Sequence, residues 1–142
     1  MSQHVLVTFD IDGTILSSPG GGKTHTDAIA LTANELYNVP LDVDIKDYCH
    51  SRFSGTTDSW IAKTIIQTAT GKKEVTKEEI DAFEIREYEN FIKLYAGGYS
   101  LLPGVEKCIS KLSKMENVTL GLCTGNFVKI GIAKLEAVGV AK

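Results

Sequence analysis

Residues 7–16 read VTFDIDGTIL, and this segment is the strongest indication of the fold. The residues that lead into it are apolar and β-branched, and the apolar run stops at Asp10. A short continuous apolar run of this kind is typical of a buried strand in a parallel sheet. Gly13 gives the backbone the freedom to turn sharply behind it. We therefore predict a strand over residues 4–9 that ends at two acidic residues, Asp10 and Asp12.

A second strand is predicted towards the other end of the chain. Residues 118–123 read VTLGLC, another short apolar run, and the turn Thr124-Gly125-Asn126 follows it. Helical periodicity dominates the remaining sequence. The predicted helices cover 24–37, 57–70, a segment that begins at the Thr76 and Glu79 capping box, 103–115 with Pro103 in its first turn, and 127–138.

These segments predict an α/β protein with helices inserted between two strands of one sheet. The expected core domain comprises residues 1–16 and 98–142 and contains a partial, Rossmann-like set of parallel strands. The expected cap domain is α-helical and comprises residues 17–97. Ligands of open parallel sheets bind beyond the carboxyl ends of the strands, where Asp10 and Asp12 are predicted to lie.

Composition excludes several classes of protein. The 142 residues carry a net charge of -3, which does not favour a nucleic acid or an anionic membrane as partner. No apolar run approaches the roughly 20 residues that span a bilayer. The three cysteines are widely spaced, which argues against disulfides or a zinc site and fits a cytoplasmic protein. His4, His25 and His50 show no ligand spacing, and we expect them at the surface or in loops.

Asp10 and Asp12 carry the predicted chemistry. Alternation along an extended chain would place both carboxylates on the same side, where they repel each other unless a cation or a shared proton is present. Oxygen ligands favour a hard ion, and Mg2+ is the usual one with phosphate substrates. One carboxylate could then attack phosphorus while the other transfers protons. The alternative is a plain acidic turn after a strand.

The full string VTFDIDGTIL resembles the first motif of the haloacid dehalogenase superfamily. The resemblance implies that Asp10 is the nucleophile, which forms an aspartyl-phosphate, and that Asp12 is the general acid and base. It also implies that both residues bind Mg2+, Asp12 through its backbone carbonyl. Dehalogenases of this superfamily lack the second Asp and transport ATPases have Thr there, so Asp12 favours phosphatases and phosphomutases.

The string LGLCTGN resembles the second motif of the same superfamily. This resemblance implies that the Thr124 hydroxyl contacts phosphate, and the backbone amides of Gly125 and Asn126 would add donors at a helix start. For Thr124 alone, a plain helix cap is the alternative.

The segment FSGTTDSWIAKTI is similar to part of the helical cap in the phosphoglycolate-phosphatase-like branch. Thr56 and Thr57, with Asp58, are therefore candidates for a substrate-facing loop, and a helix amino terminus is the alternative. The nearby string PGGGKT suggests a nucleotide-binding P-loop. That pattern needs Gly where Ser17 stands, so we interpret Gly20–Gly22 as a mobile flap instead.

Members of the superfamily continue with a third motif that carries Lys and a fourth that carries acids for the magnesium site. Neither follows Asn126 here, and Lys129 and Lys134 lie in the helix after the second motif, so we assign the third-motif role to neither. We therefore expect the chain to be a fragment.

The expected function is that of a magnesium-dependent phosphatase that acts on a small phosphorylated metabolite. The alternatives are a phosphomutase of the same superfamily and a catalytically incomplete fragment that acts as a non-enzymatic module. The substrate, the oligomeric state and the activity of this chain stay open at this point.

Overall fold

The computed structural model describes residues 3–17, 22–49, 53 and 55–140. The chain divides into two compact units. The α/β unit comprises Met1–Gly21, Gly97–Thr124 and Lys134–Lys142, and the helical unit comprises Gly22–Ala96 and Gly125–Ala133. The elements follow in the order β1 Val5–Phe9, β2 Leu16–Ser17, α1 Lys23–Tyr37, α2 Ile45–Tyr48, α3 Asp58–Thr70, α4 Lys77–Leu94, β3 Ser100–Leu101, α5 Val105–Leu112, β4 Val118–Leu122 and α6 Val128–Ala137.

The two predicted strands, β1 and β4, pair in parallel. Their register runs from Val5 opposite Val118 to Phe9 opposite Leu122. The α/β class and its parallel strands are therefore confirmed. A second, antiparallel ribbon joins β2 to β3, with Leu16 opposite Leu101. The sequence did not predict this ribbon, because strands of two residues are too short to show a period of two.

The expectation that the first strand is buried is wrong. Leu6 is 65% exposed and Val5 is 41% exposed, and Leu122 in β4 is 51% exposed. Within the described residues the parallel sheet has two strands, so each strand has a paired neighbour on one side. The buried cluster of this unit lies instead beyond the end of β1, where Ile11 packs with Ile15, Leu16 and Leu135.

The helical unit buries an extensive apolar core among α1, α3 and α4. Helix α3 begins after Thr57, whose hydroxyl accepts the Trp60 N–H, and ends at Gly71 in the left-handed conformation. Helix α4 begins with the predicted capping box, in which Thr76 and Glu79 bond each other's backbone N–H, so that prediction is confirmed. The larger buried side chains of this core are Ile29, Ile61, Ile65, Ile66, Phe83 and Phe91.

Helix α5 differs from its prediction at both ends. Gly104 caps it with φ of 85°, and the helix begins at Val105, so Pro103 precedes the cap and does not occupy the first turn. The helix ends at Leu112. Among the described residues, no helix combines the length and apolar character needed to cross a membrane. The predicted flap at Gly20–Gly22 lies outside the described residues except for Gly22.

Candidate active site

Asp10 and Thr124 follow the paired ends of two parallel strands. Phe9 and Leu122, the last residues of β1 and β4, are in register, and the Cys123 N–H donates to the Phe9 carbonyl at 2.8 Å. The structure thus brings Asp10, which is exposed, and Thr124, which is half-buried, to one edge of the α/β unit. That edge is where open α/β sheets bind their ligands.

Asp12 lies in a tight turn and not on an extended strand. The Gly13 N–H donates to the Leu16 carbonyl at 2.8 Å, and the Leu16 N–H donates to the Ile11 carbonyl at 3.1 Å. Gly13 adopts a φ of 77°, which a glycine reaches without strain. The prediction that Asp10 and Asp12 alternate along an extended strand is therefore wrong, because the chain bends at the buried Ile11 between them.

Lys134 forms an ion pair with Asp12. Its Nζ atom lies 3.0 Å from Oδ1 and 2.9 Å from Oδ2 of the carboxylate. The Lys134 side chain is 2% exposed, whereas that of Asp12 is 45% exposed. The next residue, Leu135, packs with Ile11 in the buried cluster, so the end of α6 that belongs to the α/β unit lies beside the turn that carries Asp12.

This ion pair gives the Asp12 carboxylate a positively charged partner within the chain. Two neighbouring carboxylates were expected to need a cation or a shared proton, and the ammonium group of Lys134 supplies a cation to Asp12 directly. No pattern in the sequence indicates this partner. Lys134 is separated from Asp12 by 122 positions, and it occupies an ordinary place in a helical pattern.

The turn after β4 continues into the helical unit, where it is held by Asp58. The Asp58 N–H donates to the Gly125 carbonyl at 2.7 Å, and the Phe127 N–H donates to Asp58 Oδ2 at 2.7 Å. A Cβ atom on Gly125 would lie 2.6 Å from the Thr56 carbonyl oxygen. The structure therefore brings Gly125 together with the Thr56–Asp58 segment and requires a residue without a side chain at that point.

The other predicted binding residues have structural partners. The Thr56 hydroxyl donates to the Phe53 carbonyl at 3.0 Å, and the Thr57 hydroxyl accepts the Trp60 N–H at 3.3 Å. Thr57 is thus the helix cap that the sequence offered as the alternative. Asn126 is half-buried. A role in substrate binding stays a prediction for these residues.

One expectation about the histidines is wrong. His25 belongs to α1, and its Nε2 atom lies 2.8 Å from Glu87 Oε1 and 3.4 Å from Asp58 Oδ2. It is neither a loop residue nor a surface residue, since its side chain is 15% exposed. The three residues come from distant parts of the chain, so no spacing could have revealed them. His4 is exposed, and His50 lies outside the described residues.

Comparison with known proteins agrees with this architecture. Residues 5–142 match the family of haloacid dehalogenase-like hydrolases. The chain belongs to that family. No curated protein matches the chain in sequence.

Two solved structures share the fold. One is described as a predicted phosphoglycolate phosphatase from Haemophilus somnus 129PT, with a TM-score of 0.58, 21% identity, and coverage of 99% of this chain and 60% of the other. The other is a hydrolase from Pseudomonas syringae, with a TM-score of 0.59, 21% identity, and coverage of 96% of this chain and 57% of the other. The chain therefore spans less than two thirds of the length of either protein.

Proposed function

We propose that this chain carries active-site residues of a magnesium-dependent phosphatase, which hydrolyses a small phosphorylated metabolite through an aspartyl-phosphate at Asp10. The observation that carries the proposal is the shared edge of Asp10 and Thr124, with Asp12 held beside it by Lys134. Membership of the hydrolase family supports the reaction class.

Asp10 is the proposed nucleophile. Its carboxylate oxygen forms a bond to phosphorus while the ester bond between phosphorus and the leaving oxygen breaks. A water molecule then attacks the acylphosphate, releases inorganic phosphate and restores the carboxylate. Exposure of Asp10 at the strand end supports this role, because a phosphate group has to reach the nucleophile.

Asp12 is the proposed general acid and base. It gives a proton to the leaving oxygen in the first step and accepts one from the attacking water in the second. The ammonium group of Lys134 offsets the negative charge of the Asp12 carboxylate. Because Lys134 contacts both carboxylate oxygens, it also fixes the orientation of Asp12.

The donor set at this edge fits Mg2+ in chemical type. The Asp10 carboxylate and the backbone carbonyl of Asp12 are hard oxygen ligands, which magnesium prefers. The Asp12 carboxylate is engaged by Lys134, so we assign the metal to the Asp12 carbonyl and not to its side chain. When bound, the ion would offset negative charge on the phosphate and on Asp10.

The remaining predicted residues are proposed to bind the substrate. Thr124, Gly125 and Asn126 are proposed to bind the phosphate group, while Thr56 and Thr57 are proposed to contact the rest of the substrate. The fold shared with a protein described as a predicted phosphoglycolate phosphatase makes phosphoglycolate the first compound to test.

We propose a cytoplasmic location, which the free cysteines support.

A phosphate-release assay with Mg2+ tests this function. The Asp10→Asn variant keeps the shape of the side chain but removes the nucleophile, and we expect its rate to fall on the order of 10⁴-fold or more. Asp42→Asn changes the same chemical group at an exposed position of the helical unit and should leave the rate unchanged. A folded wild-type chain that releases no more phosphate than Asp10→Asn would refute catalysis by this chain.

Lys134→Met tests the part assigned to the ion pair. We expect kcat to fall about 10²-fold, because Asp12 loses the group that orients it. Lys129→Met is the matched control in the same helix, since Lys129 lies over the Tyr88 ring at 5.8 Å and is exposed. Product analysis in the same assays separates free phosphate from an isomerised sugar phosphate, which would identify a phosphomutase.

A further inference from the structure

Three helices of the helical unit direct one metal-ligating side chain each towards a common point. His25 lies near the start of α1, Asp58 is the first residue of α3, and Glu87 lies in α4. One ligand atom from each residue can be chosen so that all three lie within 4.8 Å of one another. The side chains of His25, Asp58 and Glu87 are only 15%, 7% and 1% exposed.

Both carboxylates of this group lie against the same imidazole nitrogen. Two acidic groups that converge on one point inside a protein are unfavourable unless positive charge is placed between them. A divalent cation balances one neutral imidazole and two carboxylates completely, and it leaves the imidazole in the form that binds metals.

The ligand types and separations suit a zinc-type ion. One imidazole nitrogen with two carboxylate oxygens is a donor set that such ions accept, and a hard ion such as Mg2+ prefers oxygen alone. In a tetrahedral site with bonds of zinc length, ligand atoms lie about 3.4 Å apart. The separation from His25 Nε2 to Asp58 Oδ2 is 3.4 Å, and that to Glu87 Oε1 is 2.8 Å, so the second contact needs to open from 2.8 to about 3.4 Å. The ligand oxygens of Asp58 and Glu87 lie within 4.8 Å of each other.

Asp58 is also supported from outside the group. Its Oδ2 atom accepts the Phe127 N–H at 2.7 Å, which restricts the carboxylate to one orientation. Metal-binding carboxylates are commonly held by such hydrogen bonds, which pre-orient the ligand. Because the three ligands belong to three different helices, a bound ion would cross-link α1, α3 and α4.

We propose that His25, Asp58 and Glu87 bind one divalent transition-metal ion of the zinc class inside the helical unit. This site does not depend on the proposed phosphatase activity, and its nitrogen ligand sets it apart from the oxygen ligands proposed for Mg2+ at Asp10 and Asp12.

The test is a zinc titration of the 142-residue chain in excess Mg2+, read by calorimetry and by the melting temperature. The titration uses a Cys108→Ser, Cys123→Ser background, because these two thiols are exposed and would compete for zinc. Burial raises the pKa of the Cys49 thiol to about 11, so Cys49 stays protonated and can remain. We expect one zinc ion per chain and a higher melting temperature.

His25→Gln in this background should weaken zinc binding by more than about 10²-fold, which is beyond the roughly 10- to 100-fold loss caused by removing only a supporting residue. His4→Gln is the matched control, because His4 is exposed and bonds Thr119 in the α/β unit. Unchanged zinc affinity in a folded His25→Gln variant overturns the proposal. The absence of zinc binding by the Cys108→Ser, Cys123→Ser protein that retains His25 also overturns the proposal.

A second measurement covers the case in which His25→Gln does not fold. The double variant His4→Gln, His50→Gln leaves His25 as the one histidine of the three in the sequence. The Nε2 resonance of its imidazole should shift when zinc is added, as expected for direct coordination. A titration that leaves this resonance in place overturns the proposal.

Discussion

The two units of this molecule differ in how they use their apolar residues. The helical unit buries aromatic and branched side chains from three helices, including Phe83 at 0% and Phe91 at 1% exposure. The α/β unit contains the residues proposed for catalysis, yet Leu6 in β1 is 65% exposed and Leu122 in β4 is 51% exposed. Its compact part is the small cluster around Ile11, beneath the turn that carries Asp12.

Most of the tightly packed apolar residues therefore lie in the helical unit, whereas the residues proposed for catalysis lie in the α/β unit. Burial of apolar area is the main source of stability, so the helical unit should hold most of the stability of this chain. In the α/β unit the rigid element is the turn after β1, which a buried Ile11 and the Lys134 ion pair hold in place. The comparison therefore predicts that equivalent substitutions act differently in the two units.

The largest expected difference comes from truncating an apolar side chain in each unit. Phe83→Ala removes a fully buried ring that stacks on Tyr37, and we expect it to lower the free energy of unfolding by about 3–5 kcal/mol. Leu6→Ala should change it by no more than about 0.5 kcal/mol, because Leu6 is mostly in water already. Urea unfolding followed by circular dichroism measures both, and the single Trp60 reports on the helical unit. Equal losses would contradict the difference in packing.

A smaller effect, with opposite signs in the two units, is expected from adding a methyl group to a glycine. At Gly125 the new Cβ would lie 2.6 Å from the Thr56 carbonyl oxygen, so Gly125→Ala should cost about 1–3 kcal/mol of unfolding free energy. At Gly121 in β4 the nearest atom is Thr8 Cγ2 at 3.6 Å, an ordinary contact. Gly121→Ala should therefore stabilise by about 0.5–1 kcal/mol, since alanine is stiffer than glycine in the unfolded chain.

Urea titrations of the two alanine variants beside the wild type decide this point. A stable Gly125→Ala protein would show that the Thr56 backbone can move away from the turn. A destabilised Gly121→Ala protein would show that the exposed sheet is packed more tightly than the distances indicate.

Local signals in the sequence predicted most of the regular structure. The capping box at Thr76 and the apolar runs before Asp10 and Thr124 depend on neighbouring residues, and each of these elements is found where it was expected. The burial of β1 was predicted wrongly, because burial depends on what packs against the strand and not on the strand itself. The ribbon of β2 and β3 was missed for a related reason, since two-residue strands are defined only by their partners.

In the candidate site, too, local relations could be predicted from the sequence, whereas contacts between distant residues could not. The order of residues around Asp10 and Thr124 was enough to place both after strand ends, because that relation is local. The contacts of Asp12 with Lys134 and of His25 with Glu87 join positions 122 and 62 residues apart. Such contacts arise when helices pack, and a helical pattern does not say which polar residue on one helix will meet which residue on another.

The smallest expected difference concerns a threonine hydroxyl in each unit. The Thr76 hydroxyl accepts the Glu79 N–H at the start of α4, so Thr76→Ala should cost about 1 kcal/mol of unfolding free energy. Thr119 in β4 also has a hydroxyl partner, His4 Nε2 at 2.8 Å, but both groups are exposed. Water replaces that hydrogen bond easily, so Thr119→Ala should change stability by no more than about 0.5 kcal/mol. Amide exchange in the first turn of α4 should speed up in Thr76→Ala alone, and faster exchange there in Thr119→Ala would show that the two units do not hold their hydrogen bonds independently.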